Sequence, residues 1–253
     1  MGSQQWKIVF LVFIFLAKNS IVGAGNSLRI IGGRKANIED HPWIVSLRNF
    51  NKVFGGCGGS LVNEDTVVTA AHCYGLKYVV AGVSKLYRKE EIYIEIKDFK
   101  QHDQYNDEAI DYDIAIVKLA EKVKFSNKIQ PIPLPEQDAE VPPGAVVTTA
   151  GWGVTEEWKL PDHLLEIDIN IVDRHTCQSF FNTTITDRMI CAGNIEETKS
   201  TCVGDSGGPL VNNGTLVGVV SWGDYWCKEY VAVYTNVGHF STWIKKMVAS
   251  NAD

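Results

Sequence analysis

The chain has 253 residues, 45% of them hydrophobic and 21% charged, which is enough apolar material to bury a substantial core in one or two domains. Its formal net charge is −6, and it carries no basic run, no heptad pattern and no zinc-type Cys/His cluster. That balance argues against a nucleic-acid partner or a structural metal.

At the N-terminus, Lys7 to Ala17 ("KIVFLVFIFLA") is a basic residue followed by an apolar stretch too short to span a bilayer comfortably. It reads as the core of a signal peptide within residues 1–24, cleaved after Ala17 or after Ala24. An uncleaved anchor is the alternative. Export to an oxidising compartment makes the six cysteines, Cys57, Cys73, Cys177, Cys191, Cys202 and Cys227, a set of three disulfides, and spacing alone does not choose among the pairings. Two sequons, "NTT" at Asn182 and "NGT" at Asn213, agree with a secreted chain.

After residue 29 the pattern changes to short β-branched and aromatic runs separated by Gly, Pro, Asn and Asp. In chain order they are "WIVSL", "LVNEDTVVTA", "YVVAG", "EIYIEI", "DIAIVKL", "AVVTTAGWG", "LLEIDINIV", "TLVGVVSWG" and "VAVYTNV". "EIYIEI" alternates as a half-buried strand does, whereas "DIAIVKL" reads as buried on both faces. Many short strands at close spacing predict an all-β sandwich or barrel. The Pro-rich "IQPIPLPEQDAEVPPG" is a linker signal that splits the strands into two sets of similar size. The tail "GHFSTWIKKMVAS" places Phe240, Trp243, Ile244, Met247 and Val248 at helical spacing, which predicts one docked C-terminal helix.

Three segments carry candidate chemistry. "VVTAAHC" ends a β-branched run with His72, "DYDIAIVKL" opens a buried strand with Asp113, and "TCVGDSGGPL" presents Ser206 among glycines. Acyl transfer by a serine needs a base, a carboxylate that orients the base, and backbone donors for the oxyanion, and these segments offer all three. Singly, each has a blander reading as a structural histidine, a turn aspartate or a tight loop.

Together with "IIGG", "CGGSLV", "TAAHC", "GWG", "GDSGGP" and "SWG", in that family's order, they make the chain resemble the chymotrypsin/trypsin family of secreted serine endopeptidases from about Ile30 to the C-terminus. The resemblance implies two six-stranded antiparallel barrels with the site in the cleft between them. His72 would be the general base, Asp113 its orienting carboxylate and Ser206 the nucleophile, with an oxyanion hole from the N–H groups of Gly204 and Ser206. The family's disulfides map onto Cys57–Cys73, Cys177–Cys191 and Cys202–Cys227. "LRIIGG" matches the activation site: residues 25–29 form a short propeptide, cleavage follows Arg29, and the new Ile30 amine pairs with Asp205, leaving residues 30–253 as the protease domain.

The departures bear on specificity. The position at the base of the substrate pocket is Ser200, not the aspartate of trypsins, and the rest of the pocket maps onto Val203, Ser221, Trp222, Gly223 and Ala232. This predicts cleavage after large apolar or aromatic residues. An elastase-like preference is the alternative, because the methyl of Ala232 stands where many relatives have glycine. Val83 or Ser84 stands where some trypsins carry a calcium-binding glutamate. No metal or other cofactor is expected, although Glu90 and Glu91 could contribute to a calcium site. The position of the family's zymogen histidine is Gly55. His41, His102, His163, His175 and His239 read as surface or structural groups. The expected partners are protein or peptide substrates, an activating trypsin-like protease and protein inhibitors, with no nucleic acid, no stable membrane association and a monomeric state. A binding or regulatory protein derived from a protease that has lost activity is the rival reading, and the complete triad disfavours it.

Overall fold

The computed structural model describes residues 33–49, 56–86, 91–155, 159–194, 201, 204–224 and 230–249. The first barrel comprises β2 (Ile44–Arg48), β3 (Cys57–Leu61), β4 (Thr66–Thr69), β5 (Tyr78–Ala81), β6 (Tyr93–Gln101) and β7 (Ala115–Leu119), closed in the order β2-β3-β4-β7-β6-β5. The second comprises β8 (Val146–Gly151), β9 (Leu165–Val172), β10 (Met189–Gly193), β11 (Pro209–Asn212), β12 (Thr215–Trp222) and β13 (Val231–Asn236). Its order is β9-β10-β13-β12-β11-β8, and a β8–β9 pairing closes the ring. The pairings are antiparallel, and the two-residue β1 (Arg34–Lys35) adds to β9. The fold is thus the all-β pair of six-stranded barrels with a C-terminal helix.

Side-chain alternation explains the second barrel well. Along β9, Leu165, Ile167, Ile169 and Ile171 are buried while the residues between them are partly exposed, the period of two that turns one strand face inward. In the first barrel β7 is buried throughout, as its sequence predicts, and Lys118 within it reaches Asp65 at 3.0 Å and the Thr66 hydroxyl at 2.6 Å. β6 differs from its expected extent. Ile92 lies outside it and 75% exposed, the strand continues to Gln101, and a bulge between Ile96 and Asp98 resets its phase.

The Pro-rich segment laces the barrels together. Ile132 N–H donates to Leu61 O at 2.8 Å, and Leu216 N–H donates to Pro133 O at 3.0 Å, so one stretch of chain binds β3 and β12. The helix α2 (Val237–Ala249) follows β13 and buries Val237, Phe240 and Ile244 in a hydrophobic cluster that joins the first barrel to Val211, Leu216 and Val219 of the second. No helix of the described residues is long and apolar enough to cross a membrane.

β3 is glycine-rich because of where it runs. A Cβ on Gly59 would lie 2.6 Å from Val67 Cγ1 and 2.9 Å from Leu47 Cδ1, and one on Gly58 would lie 2.8 Å from Gly208 Cα. Gly59→Ala is therefore expected to overpack the barrel at a cost of about 1–3 kcal/mol, and Leu47→Ala to leave a cavity costing about 2–5 kcal/mol. Guanidinium unfolding measures both; an unchanged midpoint for Gly59→Ala would show slack in the barrel at β3.

Candidate active site

Between the barrels, elements of both converge on Asp113. His72 sits in a single 3-10 turn (Ala71–Cys73) directly after β4, and the Cys57–Cys73 disulfide fastens that turn to the start of β3. Asp113 lies two residues before β7, which pairs with β4, so the ladder sets the spacing of the two side chains. The His72 N–H donates to Asp113 Oδ1 at 3.0 Å, and Nδ1 lies 2.8 Å from Oδ2, which fixes Nδ1 as the donor and turns Nε2 away from the carboxylate. From the second barrel, the Ser221 hydroxyl donates to the same Oδ2 at 2.5 Å and the Thr235 hydroxyl to Asp113 O at 2.6 Å.

The serine turn needs its glycines. Gly204 and Gly207 have φ of +96° and +78°, in the left-handed region. A Cβ on Gly207 would also lie 2.2 Å from Thr69 Oγ1. Gly207 N–H donates to Val220 O at 2.7 Å and Gly208 N–H to Asp205 O at 2.9 Å, while Ser206 O accepts from Gly58 N–H at 2.7 Å, tying the turn to the first barrel.

Asp205 is 1% exposed, and its Oδ1 accepts from Gly153 N–H at 2.9 Å. The "GWG" sequence makes room for it, since a Cβ on Gly151 would lie 2.1 Å from Asp205 Oδ1. Its expected partner Ile30, with Arg29, lies outside the described residues. So do Ser200, Val203, Cys202, Cys227, Gly55, Glu90 and Glu229.

Of the other expected pocket residues, Ser221 directs its hydroxyl at Asp113, and Trp222 packs edge-on against Phe181 at 4.9 Å between centroids. Gly223 and Ala232 are neighbours, since a Cβ on Gly223 would stand 3.6 Å from that of Ala232. Thr201 and Tyr234, which sequence reasoning did not single out, are buried together with their hydroxyl oxygens 3.4 Å apart.

Cys177–Cys191 is also closed, joining the short helix α1 (Arg174–Gln178) to β10. Among the described residues, Cys57, His72 and Cys73 come within ligand range of one another, but both sulfurs are spent in the disulfide. The Glu91 carboxylate is buried against the Arg48 guanidinium at 2.8 Å, and the Ser84 hydroxyl accepts from Ile38 N–H. His41 is buried against Glu166, and His102 packs among Tyr112, Phe240 and Trp243.

A family model described as Trypsin matches residues 30–244. The chain is 39% identical to Trypsin epsilon of Drosophila erecta over 231 residues, covering 86% of this chain and 87% of that one. It is 38% identical to a Trypsin of Phaedon cochleariae over 244 residues (92% and 93%), and 32% identical to Glandular kallikrein-10 of Rattus norvegicus over 265 residues (98% and 100%). The fold and these likenesses define a trypsin-like serine protease domain. This chain belongs to the trypsin family.

Burial pushes the His72 imidazolium pKa down, but the hydrogen bond and charge of Asp113, with a smaller contribution from Asp107, outweigh it and hold it above the ordinary histidine value. An NMR titration of His72 should therefore show a midpoint above about 6.5. Asp113→Asn should drop it below that value, because burial then dominates. An unmoved midpoint would mean that Asp113 does not govern the imidazole.

Proposed function

We propose that the protein is a secreted serine endopeptidase made as a zymogen, with residues 1–24 as signal peptide, 25–29 as propeptide and 30–253 as protease domain. The observation that carries this reading is the buried Asp113 carboxylate gripping both the backbone and Nδ1 of His72, beside a glycine turn that presents Ser206. Cleavage after Arg29 frees the Ile30 amine to enter and pair with Asp205. That carboxylate is almost completely buried, a setting in which a cationic partner stabilises the charged form.

In the reaction, His72 Nε2 takes the proton of Ser206 Oγ as the oxygen attacks the substrate carbonyl. The N–H groups of Gly204 and Ser206 receive the oxyanion. The tetrahedral species collapses to an acyl-enzyme as His72 returns the proton to the leaving amine. Water, deprotonated by His72, then attacks the acyl carbon, and the Ser206 Oγ–acyl bond breaks to release the acid as His72 returns the proton to Oγ. A third disulfide, Cys202–Cys227, belongs to the same reading. Asn182, exposed beside Phe181, and Asn213, at the β11–β12 turn, are the glycosylation acceptors of the exported chain.

The relatives named trypsin do not bring a basic preference with them. With Ser200 assigned to the base and no acid at Gly223 or Ala232, a substrate Lys or Arg would bury its charge opposite a hydroxyl, and desolvation costs several kcal/mol per unpaired ion. A large apolar side chain gains about 1.5–3 kcal/mol by burial instead. The expected partners are protein and peptide substrates with an apolar or aromatic residue before the scissile bond, an activating trypsin-like protease and protein inhibitors.

The test is kcat/KM for the form beginning at Ile30 on matched peptides with Phe, Leu, Ala or Arg before the scissile bond, alongside Ser206→Ala. Phe or Leu should lead, and Ser206→Ala should lose about 10⁴-fold or more. Preference for Arg would refute the pocket and point to another acid, such as Glu229 in the short segment of sequence between Cys227 and Tyr234; parental activity in Ser206→Ala would refute the triad.

A further inference from the structure

Asp113 is the middle residue of a tight turn closed by the Ile114 N–H donating to Tyr112 O at 2.8 Å, so its direction is set by the residue before it. That approach is strained. Tyr112 has φ of +55° and Ile110 of +47°, conformations rare for residues with a Cβ and rarer still for a β-branched one. Such backbone persists only where its surroundings hold it.

The holding group comes from the other barrel. Arg188, immediately before β10, donates from Nε to Asp111 Oδ1 at 2.9 Å and from Nη2 to Asp111 Oδ2 at 2.7 Å, a two-pronged contact. The same guanidinium lies 4.6 Å from the centre of the Tyr112 ring, which also stacks on His102 at 4.9 Å and meets Phe240 edge-on at 5.9 Å. The arginine is itself anchored, because its carbonyl accepts from Asn236 N–H at 2.8 Å at the end of β13. Asp111 is fixed further by paired backbone bonds to Asn106 at 3.0 and 3.1 Å and by its Oδ1 accepting from Tyr112 N–H at 2.8 Å. One planar cation thus grips the two residues that lead into Asp113.

We propose that Arg188 is a positioning residue for the Asp113–His72 pair, clamping Asp111 and Tyr112 from the second barrel so that the Asp113 carboxylate meets Nδ1 in register. The proposal rests on the triad reading above. A lysine would not replace it, since an ammonium has neither the fork for two carboxylate oxygens nor the flat face for the ring. The clamp also closes the loop 106–111 that carries Asp107, the second anion acting on His72.

The test compares the Ile30-beginning parent with Arg188→Met, Arg188→Lys and Asp111→Asn. The readouts are kcat and KM on a short peptide, the acid limb of the kcat/KM profile, and the rate at which a fluorophosphonate labels Ser206. Arg188→Met should lower kcat and the labelling rate by about 10- to 100-fold, the scale of a misplaced catalytic group, with KM within about twofold. The acid limb should move to lower pH as His72 loses its hold on Asp113. Arg188→Lys should recover little, and Asp111→Asn, which keeps the shape but weakens the ion pair, should move the same readouts in the same direction. A loss of thermal stability with kcat, acid limb and labelling unchanged in both Arg188→Met and Asp111→Asn would overturn the proposal and leave Arg188 a purely structural group. A parent that labels normally separates that outcome from failure of the triad; a parent that does not label at Ser206 overturns both.

Discussion

A carboxylate taken out of water is the constraint on which this structure turns. Asp113 is 2% exposed, and desolvating such a group costs several kcal/mol unless donors replace the water. Three do so: the His72 backbone, the His72 ring and the Ser221 hydroxyl. Two belong to the first barrel and one to the second, so the carboxylate is satisfied only when the barrels are closed on each other. The geometry of the Asp113–His72 pair and the docking of the two halves are therefore one problem with one solution.

Much of the remaining architecture defends that junction. The Cys57–Cys73 bridge pins the His72 turn to β3, whose Gly58 N–H binds the carbonyl of Ser206. The inter-barrel segment bonds to Leu61 on one side and Leu216 on the other, and α2 buries its apolar stripe in a cluster shared by β7 of the first barrel and β12 of the second. Within the second barrel, Asp205 takes space that Gly151 and Gly153 leave empty. The Gly58–Ser206 bond is the plainest link, a backbone donor of the first barrel receiving a carbonyl of the second.

The sequence made part of this legible and hid the rest for identifiable reasons. The strands that alternate or run continuously apolar, such as β7 and β9, are readable because their burial pattern is local. β3 and β10 are not, because Gly58 and Gly193 belong to close approaches between distant backbones, Gly59 yields its space to side chains of neighbouring strands, and none carries a β-propensity of its own. The short α1 depends on Asp173 capping Thr176 N–H, a signal too brief to stand out from a loop. His72 and Asp113 announce themselves through family-like motifs, and their contact is a finding of the structure. The approach of Ser221 to Asp113, across 108 positions, and of Arg188 to Asp111, across 77, leaves no trace in spacing because the barrels alone bring those residues together.

The central claim is that Ser206 is a nucleophile activated by the Asp113–His72 pair. Peptide mapping of the Ile30-beginning protein after treatment with a fluorophosphonate tests it most directly. A single adduct on Ser206, absent in His72→Ala and formed more slowly as pH falls below the His72 midpoint, is the predicted result. An adduct on another serine, or none at all in folded protein with that N-terminus, would contradict it.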